Sequence, residues 1–119
     1  MTTTPSLDAA RDAALDVRKL YEVLEQRFNG KTWSLHELML GFSNDVGYIG
    51  RLILADEGTW DIDGDAGAEL AHKLAESVWW AFVLADRLGI DLDQAYGDTM
   101  TTIRTGLEST ITRTAPTTN

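Results

Sequence analysis

The densest run of potential metal ligands in this 119-residue chain is Asp61-Ile-Asp-Gly-Asp65, which opens like a calcium-binding loop. Such a loop needs its glycine at the sixth position and a bidentate glutamate at the twelfth. Here the glycine comes fourth and the twelfth residue is His72. The segment also runs into a helical pattern, so it reads as a solvated loop whose Asp65 caps the following helix. His36 and His72 have no third partner that would make a zinc site, and they read as surface residues. His72 and Glu76 are four residues apart on one helix, a spacing that favours a local hydrogen bond. The chain has no cysteine, which excludes disulfides, thiolate catalysis and cysteine-held zinc. It contains neither a glycine-rich phosphate loop nor a recognisable serine–histidine–acid signature.

Four helices must position whatever chemistry there is. The first is expected over about residues 7–28, with Ser6 as cap and Gly30 as a left-handed stop. Ala10, Ala13, Ala14, Val17, Leu20, Tyr21, Leu24 and Phe28 form its apolar face, while Asp12, Asp16, Arg18, Lys19 and Glu22 fall mostly elsewhere. Ser34-Leu-His-Glu37 reads as a capping box that starts a helix reaching about Asp56. Residues 57–65 read as a loop. A third helix is expected over 66–88, stopped at Gly89. A fourth follows Asp91-Leu-Asp-Gln94, a second box-like start, and runs to about Ser109 or Thr112. The tails, about 1–5 and 113–119, are Thr-rich and hold the only prolines, Pro5 and Pro116. No strand alternation and no repeat is visible. The expectation is a single all-α domain, a four-helix bundle with short antiparallel connections.

Composition narrows the function. A formal net charge of −9 argues against a nucleic-acid binder, because phosphate backbones would be repelled. It leaves a nucleotide substrate open, since a divalent cation reverses local charge. The start, Met1-Thr-Thr-Thr-Pro5, has no basic or apolar character. The longest apolar run, Val78-Trp-Trp-Ala-Phe-Val-Leu-Ala85, is too short for a membrane span. A cytoplasmic protein with no membrane partner is the expectation. That same run is apolar around its whole circumference, and two successive tryptophans resist facing one thin interior. A homodimer or homotetramer is therefore expected to cover the second face. The alternative is a central helix covered within its own chain.

Two stretches carry a family resemblance over roughly residues 20–105. One is Trp33-Ser-Leu-His-Glu-Leu-Met-Leu-Gly41 with Phe42-Ser-Asn-Asp-Val-Gly-Tyr-Ile-Gly50. The other is Ala71-His-Lys-Leu-Ala-Glu-Ser-Val-Trp-Trp80, continuing through Leu84-Ala-Asp-Arg-Leu-Gly-Ile-Asp-Leu92. Together they resemble the MazG-like, all-α nucleoside triphosphate pyrophosphohydrolases. The resemblance implies that fold and the release of a monophosphate and pyrophosphate. It also implies magnesium held by carboxylates on two neighbouring helices, two adjacent acids and a third three residues on, then two acids three residues apart. Those positions fall on Asn44, Asp45 and Tyr48, then on Lys73 and Glu76. Only Asp45 and Glu76 are acidic, and Lys73 puts a cation where a metal would sit.

The resemblance thus makes Asp45 and Glu76 the catalytic and metal-ligating candidates, with Asn44, Tyr48 and Lys73 as degenerate positions. It makes Trp33, Arg51 and Lys73 the substrate-binding candidates, with Trp33 beside the nucleotide base. Read alone, Asp45 and Glu76 are ordinary surface acids and Trp33 a core or interface residue. With the resemblance, the two acids are expected to face a shared cleft, with Lys73 replacing the metal and pairing with one of them. Three of five expected acids are replaced, which speaks against robust magnesium-dependent activity. A non-catalytic nucleotide-binding or protein-interaction dimer and an unrelated helical interaction module stand as alternatives.

Overall fold

The computed structural model describes residues 7–117. It consists of four helices, α1 (Asp8–Asn29), α2 (Leu35–Asp56), α3 (Ala66–Leu88) and α4 (Leu92–Arg113), with no strand among the described residues. Local chemistry sets most boundaries. Gly30 and Gly89 end α1 and α3 in the left-handed conformation, at φ 72° and 70°, which other residues rarely adopt. Ser34 accepts from the Glu37 backbone N–H while the Glu37 side chain accepts from the Ser34 N–H, completing the box expected there. Asp65 accepts from the N–H groups of Gly67 and Ala68, and Asp91 from that of Gln94. Ser6, the cap expected for α1, lies outside the described residues, as does the tail 1–5. Leu7 occupies the cap position without a side-chain bond.

The central helix is α3, with α1 and α2 packed against it. Leu38 from α2 and Val83 from α3 are buried to 0% and 1% exposure, and Trp80 completes their cluster. The successive tryptophans are both covered in the chain because a helix turns 100° per residue. Trp80 faces α2 and stacks on Phe42 at 6.2 Å, while Trp79 faces α1, meets Tyr21 at 5.4 Å and donates to the Ala14 carbonyl at 3.0 Å. Each tryptophan thus has its own neighbour within the chain, contrary to the expectation that the two could not share one thin interior, while Trp79 stays partly exposed and Val78 is 55% exposed. Arg18 also departs from its expected polar face. Its position is only about 40° from Ala14 around α1, and it is buried at 6% exposure.

The fourth helix stands apart. Its start is tied to α1 by a bond from the Leu7 N–H to Asp93 Oδ1 at 2.9 Å, yet none of its residues is buried. The bundle is thus built from α1, α2 and α3, and α4 leaves it. The molecule measures 71 × 40 × 33 Å, with a radius of gyration of 19.4 Å. A compact chain of this length would have about 13.5 Å. Among the described residues, no helix is long and apolar enough to cross a membrane.

Gly41 sets the distance between α2 and α3. A Cβ there would lie 2.7 Å from Trp80 Cη2 and 3.2 Å from Trp33 Cζ3. Gly41→Ala is expected to destabilise the fold by about 1–3 kcal/mol in urea unfolding, through forced displacement of an indole. Gly50→Ala, whose Cβ meets nothing within 4 Å, is expected to be neutral or to stabilise by up to about 1 kcal/mol. Equal effects at both sites would contradict this packing.

Candidate functional site: a lysine-bridged acid pair beside an aromatic groove

Asp45 lies on the α3-facing side of α2, seven residues, or two turns, from both Leu38 and Leu52. It is buried to 9% exposure. Burial of a carboxylate is costly unless each oxygen is partnered. Here Trp80 Nε1 donates to Oδ2 at 2.9 Å and Lys73 Nζ to Oδ1 at 3.3 Å. The same ammonium lies 3.4 Å from Glu76 Oε1 and 5.7 Å from the centre of the Tyr48 ring. His72 Nε2 lies 2.6 Å from Glu76 Oε1, the local pairing its spacing suggests.

Lys73 therefore joins both acids. Burial alone pushes its pKa down, but the hydrogen bond to Asp45 and the charges of Glu76 and Asp45 outweigh it and hold Lys73 above the usual lysine value. The ammonium occupies the space where a divalent cation would have to bind the two carboxylates. Among the described residues, no group of three or more His, Asp or Glu side chains is placed to hold a metal. The donors present do not fit magnesium. Asn44 is exposed and Tyr48 partly buried; both line a shallow depression of about 460 Å³ with Asp45, Arg51 and Lys73. Arg51 also lies over the Trp60 ring, 5.3 Å from its centre.

Glu76 borders a second space, an apolar groove of about 300 Å³ between α1, the start of α2 and α3. Its walls are chiefly Tyr21, Leu24, Phe28, Trp33, Leu38, Trp79 and Trp80. At its base Arg18 grips Glu25 with two hydrogen bonds, of 2.5 and 3.0 Å. Glu25 also accepts from the Trp33 backbone N–H at 2.7 Å, and Arg87 donates to the Trp33 carbonyl at 3.1 Å, so the connection between α1 and α2 is held from both sides. Burial pushes the Glu25 pKa up, but the bonds from Arg18 and Trp33 outweigh it, and the carboxyl is held below its usual value. The groove is suited to a flat apolar ring whose edge meets the Arg18–Glu25 pair or Glu76.

Of the residues singled out from sequence, Asp45, Lys73 and Glu76 come together, Asn44, Tyr48 and Arg51 lie beside them, and Trp33 lines the neighbouring groove. Arg18, Glu25, Tyr21, Trp79 and Trp80 were not foreseen as parts of a site. The available signal was the seven-residue spacing of Arg18 and Glu25, two turns that put opposite charges on one face. Comparison with protein-family models, with curated proteins and with solved structures finds no match to this chain.

Two outcomes test the site. Lys73→Met keeps the aliphatic stem but strands Asp45 Oδ1, and is expected to cost about 1–3 kcal/mol in urea unfolding; unchanged stability would contradict the bridge. Because the Lys73 pKa is raised on folding, its contribution is complete below the ordinary value of 10.5 and is lost as pH climbs through the higher folded value. Wild type should therefore lose stability relative to Lys73→Met as the pH climbs above 10.5. A stability difference independent of pH in that range would count against the assignment.

Proposed function

We propose that this chain is a divergent member of the MazG-like pyrophosphohydrolase superfamily that binds a nucleotide without metal-dependent hydrolysis. The observation that carries the reading is the Lys73 ammonium set between Asp45 and Glu76, the only acids at the positions where the family resemblance expects ligands. In this reading the two carboxylates are structural anchors of an internal cation. Their catalytic and metal-ligating roles have lapsed, and the magnesium that the resemblance implies has no place.

Ligand binding is supported by the two adjoining spaces. The aromatic groove, bordered by Trp33 and Tyr21, suits a base in size and surface. The depression next to it presents Lys73 and Arg51, two cations able to meet phosphate oxygens. Glu76 borders the groove and pairs with Lys73 of the depression, so one ligand can span both. The second reading, a helical self-association module without a small-molecule ligand, is favoured by the apolar side chains left open along α4.

Thermal melts with magnesium, manganese and a nucleotide panel discriminate between these. Nucleotide binding is expected to raise the melting temperature equally with and without chelator, with no pyrophosphate released. At one hundred times Kd the stabilisation would be about 2.7 kcal/mol. Stabilisation that requires metal and nucleotide together, with turnover, would overturn the proposal, and indifference to every nucleotide would favour the second reading. The triple variant Asn44→Glu, Tyr48→Glu, Lys73→Glu restores the five-acid pattern and is expected to gain a magnesium-dependent rise in melting temperature. No gain would show that the pattern has been placed on the wrong residues.

A further inference from the structure

The rings that wall the aromatic groove are inclined to one another. Tyr21 and Trp79 meet at 57° and Trp79 and Trp80 at 68°, so the three turn a corner. A Cβ on Gly41 would touch the indoles of both Trp80 and Trp33, which brings Trp33 to the same end as Trp80. Tyr21, Phe28 and Trp33 are 49%, 76% and 36% exposed, so ring surface is left for a ligand. Aromatic faces are electron-rich and attract positive charge, most strongly where water is excluded.

The charged groups favour the same kind of ligand. Arg18 and Glu25 neutralise each other at the base of the groove. Glu76, also on the groove wall, shares the Lys73 ammonium with Asp45. Across these pairings three carboxylates are served by one guanidinium and one ammonium, and the shortfall lies at Glu76. Lys73 Nζ and His72 Nε2 both approach Oε1 of Glu76, so Oε2 is the oxygen a ligand can meet. Arg51 does not make up the difference, because it lies over Trp60 in the depression, where the nucleotide reading assigns it to phosphate.

We propose that the groove selects a nucleobase carrying a fixed positive charge, as N-alkylation of a ring nitrogen produces, while the phosphate of the same nucleotide meets Arg51. This rests on the nucleotide reading and names the class of base that the site takes. Such a base is flat, fills the apolar slot and carries its charge within the ring, where the aromatic walls and Glu76 act on it together. A neutral base has nearly the same stacking area but gains nothing from the unbalanced carboxylate. A free ammonium such as choline supplies the charge without the ring or the phosphate.

Isothermal titration calorimetry at neutral pH with adenosine monophosphate, its N6-methyl derivative and its N1-methyl derivative tests this. The two methylated isomers share the same non-hydrogen atoms, and only the N1-methyl base is cationic. It is expected to bind at least about tenfold tighter than the other two. Glu76→Gln removes the charge at nearly constant shape and should bring that preference below about threefold. If this variant does not fold, Phe28→Leu, at a largely exposed ring, should reduce the preference about two- to fivefold. Equal affinity for the three nucleotides leaves nucleotide binding standing and overturns the selection of charge. So does a preference that neither variant changes, or choline binding as tightly as the N1-methyl nucleotide. Failure of all three nucleotides to bind overturns the nucleotide reading itself and this inference with it.

Discussion

A carboxylate placed between two helices must be neutralised or the helices part. Asp45 imposes that condition on α2 and α3. One oxygen is taken by the Trp80 indole and the other by the Lys73 ammonium, both from α3, so satisfying Asp45 also fixes how α3 is turned. The remaining geometry follows. With Trp80 committed to α2, Trp79 is directed towards α1, where it forms one wall of the aromatic groove. Gly41 lets α2 approach closely enough for the indole to reach the acid. A buried ion pair of this kind adds little net stability against a well-packed apolar core, and its value lies more in selecting one arrangement among many.

The groove and the depression differ in physical character although they meet at Glu76. The groove is an apolar slot whose floor pair, Arg18 and Glu25, cancels its own charge. The depression holds Arg51 and the Lys73 ammonium beside Asp45, within a chain whose formal net charge is −9.

Helix boundaries were legible because caps and stops are local chemistry: Ser34 with Glu37, Asp65, Asp91, Gly30 and Gly89 all act where the sequence places them. The meeting of Asp45, Lys73 and Glu76 was legible only through family resemblance, since nothing in either helix alone specifies the register between them. Arg18 was misplaced because its charge was weighed above its helical phase. The split of the tryptophan pair between two helices was not legible, because neighbours 100° apart serve different partners only when α3 lies between α1 and α2. The departure of α4 was invisible for a related reason. An amphipathic pattern says that a face needs cover and not which surface supplies it.

The counter-ion at the α2–α3 junction is part of the polypeptide. A divalent ion would have to be acquired from solution, and a junction that relied on one would loosen whenever free metal fell. Lys73 is tethered by its own side chain, so its local concentration is fixed by the fold. The mutual position of α2 and α3 is thereby uncoupled from the ionic supply around the protein and tied to nothing more variable than the protonation of one amine.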